Sequence, residues 1–112
     1  MTNTSHPAAQ YVEKHFNEYL DDLKELVRIP SISFEGFPPE EVDRSAKAVA
    51  ALLKRSGLEN VEEIRLPGVH PYVYADWLHA TNAPTVLLYA HHDVQPPMRA
   101  EVWKSPAFEP TL

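Results

Sequence analysis

The sequence predicts an α/β fold in which helices pack on a sheet, and three observations carry that reading. Apolar residues step by three and four in two stretches before residue 57, as on one face of a helix. After residue 57 the period falls to two, as in strands. The run Thr85–Ala90 is then nearly continuous in apolar character, as expected of a strand covered on both faces. The order is helix, helix, strand, strand, strand, and 112 residues give room for one domain at most.

The first helix is expected from Ala8 to Arg28, with Val12, Phe16, Tyr19, Leu20, Leu23, Leu26 and Val27 on one stripe. Pro7 suits its opening turn, and Pro30 forbids its continuation. Residues 1–8 are expected to be disordered. Ile32 and Phe34 alternate in a loop that leads through Gly36 to Pro38-Pro39. Glu40 and Glu41 suit the positive end of a second helix. That helix runs to about Ser56 with Val42, Ala46, Val49, Ala50 and Leu53 on one face, and Gly57 is its αL stop.

Strands are expected over Asn60–Leu66 and Tyr72–Leu78, joined by the Pro67-Gly68 turn. Thr81-Asn82-Ala83-Pro84 turns the chain into Thr85–Ala90, read as the central strand. Tyr72, Tyr74, Trp77 and Tyr89 are read as core and edge packing. Beyond Asp93, the prolines 96, 97, 106 and 110 predict a long loop. A strand covered on both faces needs more material than this chain supplies, so the fold is expected to be incomplete and Val86–Tyr89 to drive self-association.

Composition narrows the chemistry. Ten basic and sixteen acidic residues leave a net charge of −6, which argues against nucleic acid and anionic lipid as partners. With no cysteine, disulfides, thiolate zinc sites and thiol nucleophiles are all excluded, and any metal must be held by nitrogen and oxygen. No signal peptide or spanning segment is readable, so no membrane association is expected and a cytoplasmic location follows by default.

The most informative stretch is Leu87-Leu88-Tyr89-Ala90-His91-His92-Asp93-Val94-Gln95-Pro96. Open α/β sheets bind ligands beyond the carboxyl ends of their strands, where this polar triplet is expected to lie. In extended backbone, His91 and Asp93 face the same way and His92 the other. A carboxylate beside an imidazole takes the N–H of one ring nitrogen and leaves the other free for a metal. Spacing alone leaves a second reading open, that of a hydrogen-bonded turn. One imidazole does not make a zinc site, which needs about three or four protein ligands.

This stretch resembles the first metal motif of the di-zinc metallopeptidases that include carnosinase, related dipeptidases, aminoacylase and succinyl-diaminopimelate desuccinylase. Leu23-Lys24-Glu25-Leu26-Val27-Arg28-Ile29-Pro30-Ser31-Ile32-Ser33 resembles that family's first helix and following loop, and Trp103 to Phe108 resembles the segment after the motif. Val-Gln-Pro after Asp93 fits the dipeptidase-like branch best. The resemblance implies the N-terminal portion of a zinc-peptidase catalytic domain over residues 1–112, without the lid and dimerisation domain. It implies that His91 is a ligand of one zinc and that Asp93 is the catalytic-motif aspartate that orients the His91 ring. Ala90 stands where the family usually has Gly.

The activity so implied is zinc-dependent hydrolysis of the amide bond of a dipeptide or acyl-amino acid, with two zincs in a complete site. The family's other ligands, an aspartate after a glycine-rich stretch, a Glu-Glu pair, a further acid and a C-terminal histidine, do not lie in this sequence. The chain alone is therefore expected to be inactive, and the resemblance also allows a homodimeric parent. The competing reading is a non-catalytic truncated scaffold or protein-interaction module.

Other candidates offer less. His92 reads as a packed or hydrogen-bonded histidine. His70 and His79 read as turn and surface residues, and His6 and His15 as solvent-facing residues in or near the first helix. Ser31, Ser33 and Ser105 lack a Gly-x-Ser-x-Gly elbow, so serine hydrolysis has no support.

Overall fold

Proline at the first helical position costs no hydrogen bond, and Pro7 opens helix α1 (Pro7–Lys14) in the computed structural model, which describes residues 6–112. His6 caps it, its Nδ1 accepting the Ala8 N–H at 3.2 Å. Of the residues expected to be disordered, Pro7 and Ala8 are thus helical, and 1–5 lie outside the described residues. Helix α2 (Phe16–Val27) follows after one offset residue, His15, at φ −105° and ψ 15°. The single helix expected over 8–28 is jointed there. The His15 ring stacks on Tyr11 at 4.2 Å and its Nδ1 reaches Glu18 at 3.1 Å. The apolar stripe runs through both pieces, so its period carries no sign of the joint.

Helix α3 (Pro39–Arg55) matches its expected span. Gly57, at φ +88°, ends it as read from the sequence. Its N–H reaches the Lys54 carbonyl and that of Leu58 the Leu53 carbonyl, each at 3.1 Å, which satisfies two otherwise unpaired carbonyls of the last turn. Val42, Ala46 and Ala50 form the buried stripe of α3, with Ser45 beside them. Ile29, Ser31 and Ile32, in the extended segment after α2, are buried too. An ion pair at 2.6 Å between Arg55 and Asp22 ties α3 to α2.

Strands β1 (Glu59–Ile64) and β2 (Tyr72–Asp76) pair antiparallel, with Glu63 opposite Val73 and Ile64 opposite Tyr72. The register shifts between Glu59 and Glu62, where Asn60 adopts φ +50°. That is the extra residue of a bulge. Pro67-Gly68 makes the turn as expected, Gly68 taking φ +76°. Helix α3 covers both strands. The described residues thus form a small mixed α/β domain of three α-helices, a single 3-10 turn over Ala100–Val102 and a two-stranded sheet.

The expected central strand is a correction. Thr85–Ala90 forms no ladder, and Val86, Leu87, Leu88 and Tyr89 are 74–90% exposed. Helix α3 packs on β1, β2 and α2, and none of the described elements covers this run. Tyr72, Tyr74 and Trp77 are likewise exposed rather than packed. The accessible surface is 9357 Å², against about 6,200 Å² for a globular chain of this mass. The radius of gyration is 17.2 Å, against about 13 Å for 112 residues. The molecule is a slab of 48 × 41 × 19 Å, with α3 the main helical cover of its sheet.

Candidate functional site

The extended chain after Ala90 meets the segment after α2 edge to edge. Ile32 and Val94 form an isolated parallel bridge, and the Val94 N–H donates to the Ser31 carbonyl at 3.1 Å. This contact fixes where residues 91–93 lie. It also sets their alternation: His91 is exposed, while His92 turns toward α3 and the start of β2.

His91 and Asp93 face each other as the i, i+2 spacing predicts. His91 Nδ1 lies 2.9 Å from Asp93 Oδ1 and 3.0 Å from the Asp93 carbonyl oxygen. Neither of those oxygens has a proton to give while Asp93 is ionised, so Nδ1 carries the hydrogen and donates it. In the neutral ring the lone pair therefore sits on Nε2. The His91 side chain is 75% exposed, so that lone pair is open to a ligand.

Asp93 is held from its other side as well. The Ser33 hydroxyl donates to Asp93 Oδ2 at 2.6 Å. This hydrogen bond, joined by the one from His91 and by the His91 charge when protonated, holds the Asp93 carboxyl below the usual carboxylate range, against the opposing effect of partial burial. Asp93 is thus an anion at neutral pH, with both oxygens engaged. Ser33 is fixed in turn by His70, whose Nε2–H donates to the Ser33 carbonyl at 3.1 Å. His70 is half-buried in the connection from β1 to β2, in keeping with its reading as a turn residue, and its contact with Ser33 is what that reading did not foresee.

His92 is the opposite case, and its reading as a hydrogen-bonded histidine matches its place. Its Nε2 lies 3.1 Å from the Pro71 carbonyl, which can only accept, so Nε2 carries the hydrogen. Its Nδ1 then accepts from the Ser45 hydroxyl at 3.1 Å. The His92 carbonyl accepts the Ser31 hydroxyl at 3.0 Å, with Ser45 Oγ also within 3.1 Å. Both ring nitrogens are spent on protein, and neither is free for a metal.

Sequence reasoning missed Ser31, Ser33, Ser45 and His70. The first two had a signal. Ser31 and Ser33 flank Ile32 at spacing two, so in an extended segment both hydroxyls project from one edge while Ile32 enters the core. Ser45 lies on the buried stripe of α3 beside Ala46, where a hydroxyl among apolar residues needs a partner. The remaining histidines make contacts away from this site. His79 pairs with Glu59 at 2.6 Å, and His15 with Glu18.

What this arrangement offers a metal is one imidazole of defined tautomer. Among the described residues, no group of three or more His, Asp and Glu is placed to hold a metal ion. His91 thus fits one ligand position of a zinc site, and this donor set does not fill the three protein positions of a catalytic one. The hollows built on α2 lie elsewhere, one against residues 110–112 and one against α3. No described helix is long and apolar enough to cross a membrane. Compared with protein-family models, curated proteins and solved structures, the chain matches none.

Proposed function

We propose that residues 1–112 are the N-terminal part of a cytoplasmic zinc-dependent hydrolase acting on the amide bond of a dipeptide or acyl-amino acid, with His91 as a zinc ligand and Asp93 as the residue that orients it. One observation carries the reading: His91 Nδ1 is bound to Asp93 at 2.9 Å while the ring stays 75% exposed, so Nε2 points its lone pair outward. Carboxylate, imidazole and cation in line are the usual arrangement of a metal-bound histidine, the acid fixing the tautomer and raising the basicity of the ligand. Zinc supplies an activated water and polarises the amide carbonyl. The remaining ligands come from residues outside this stretch.

The test is to express the whole reading frame that contains residues 1–112, load it with zinc, and assay a panel of dipeptides and N-acyl-amino acids. Hydrolysis that falls by about 10³-fold or more in His91→Ala supports the proposal. A zinc-loaded protein that cleaves none of the panel, or an equally active His91→Ala variant, overturns it.

A second reading, a non-catalytic interaction module, is favoured by the bare apolar run Val86–Tyr89. The same assay separates the two, since a module hydrolyses nothing and loses its partner, not an activity, when that run is made polar.

A further inference from the structure

We propose that Ser33 is a positioning residue for the His91 ligand: by holding Asp93 Oδ2 it aims Oδ1 at His91 Nδ1 and so keeps the Nε2 lone pair facing outward. The proposal rests on the functional reading above for its purpose, and on separate geometry for its content.

A carboxylate bound on one oxygen alone can rotate about its Cβ–Cγ bond, so a single contact with His91 would not fix its plane. Here the two oxygens are engaged from opposite sides. Ser33 Oγ lies 2.6 Å from Oδ2 and His91 Nδ1 lies 2.9 Å from Oδ1. The hydroxyl has one proton to give, and donation to an ionised carboxylate is the stronger, shorter kind of hydrogen bond. Its short distance agrees.

The hydroxyl is itself held at both ends of its residue. His70 donates to the Ser33 carbonyl at 3.1 Å, and the neighbouring Ile32 is 5% exposed and bridged to Val94. The segment that ends helix α2 is thereby joined to the segment that carries His91, sixty positions further along the chain. This matters because the His91 ring is largely in water, where solvent competes for Nδ1–H and both neutral tautomers are accessible. Only the tautomer with hydrogen on Nδ1 leaves Nε2 free to bind a cation. Ser33 makes no contact with that nitrogen and acts wholly through Asp93.

The test reads the ring nitrogens of His91 directly, in the metal-free 112-residue chain labelled with ¹⁵N, at a pH well above the ordinary histidine range. Long-range ¹H–¹⁵N correlation distinguishes a protonated from an unprotonated ring nitrogen. The wild type is expected to show hydrogen on His91 Nδ1. Ser33→Ala is expected to shift His91 toward the tautomer with hydrogen on Nε2, and Ser33→Thr, which keeps the hydroxyl, to restore the wild-type pattern. His92 is the internal control, because its hydrogen sits on Nε2 against Pro71 and Ser33 does not touch its ring.

A change at His91 with His92 unmoved in Ser33→Ala, reversed in Ser33→Thr, supports the proposal. An unchanged His91 pattern in Ser33→Ala overturns it. So does loss of the His92 signals together with those of His91, since Ser33 is then a folding residue only. Because no metal enters this experiment, its failure is separable from failure of the zinc-hydrolase reading, which the activity of the whole protein decides.

Discussion

Residues 85–90 and 92–94 belong to one extended run, yet they meet opposite fates. The apolar half, Val86 to Tyr89, is almost wholly in solvent, and the polar half is the better packed. The difference is in partners. Residues 92–94 receive hydrogen bonds from Ser31, Ser33 and Ser45 and give them to Pro71 and Ser31, from three separate parts of the chain. Among the described residues, 85–90 gain almost no cover, since α3 packs on β1, β2 and α2 instead. Hydrophobicity states that a segment seeks cover; it does not supply the cover.

The sharpest way to break that comparison is to damage the packed side. Val42 is 1% exposed at the centre of the α3 stripe, and Val42→Ala is expected to cost about 2 kcal/mol in urea unfolding. Leu87→Ala, which removes more carbon from an 88% exposed residue, is expected to cost less than about 0.5 kcal/mol. Equal losses would show that the two halves are not so different in solution.

Ser45→Ala comes next, expected at about 1–2 kcal/mol because it leaves His92 Nδ1 without its donor. Its urea midpoint is expected to fall well below that of Ser56→Ala, whose exposed hydroxyl bonds only its own helix.

The acid limb tests the Asp93 pairing. Its pKa is lowered in the folded chain, so its contribution to stability is complete above the unfolded value of about 3.9 and is lost as pH falls through the lower folded value. Asp93→Asn is expected to flatten the loss of stability below about pH 4 while leaving the profile above pH 5 parallel to the wild type. Thermal melts across that range check it.

The smallest effect on stability belongs to the exposed run, where the readout is association instead. Sedimentation is expected to show the wild type self-associating with rising concentration and the double variant Leu87→Ser, Leu88→Ser remaining monomeric. A wild type that stays monomeric would show that solvent tolerates this surface.

Much of the fold was legible because its signals are local. The α3 span, its Gly57 stop, the Pro67-Gly68 turn and the two strands each follow from spacing or a single residue's backbone preference. The joint at His15 was not legible, since the apolar stripe passes through it undisturbed. The third strand was misread because a strand needs a neighbour, and no period in residues 85–90 reports whether one exists. Within the site, the facing of His91 and Asp93 and the turning away of His92 follow from alternation. The spacing of Ser31 and Ser33 about Ile32 marks an edge but not its partner, and the partners of Ser33, Ser45 and His70, which lie 60, 47 and 37 positions away, leave no local signal.

The central claim is that His91, and not its neighbour, presents a lone pair to a cation. Zinc titration of the ¹⁵N-labelled chain, followed at the histidine ring nitrogens, tests it most directly. The account predicts weak uptake that moves His91 Nε2 and leaves His92 unmoved. A response at the His92 ring with His91 silent, or tight stoichiometric binding that survives His91→Ala, would contradict it.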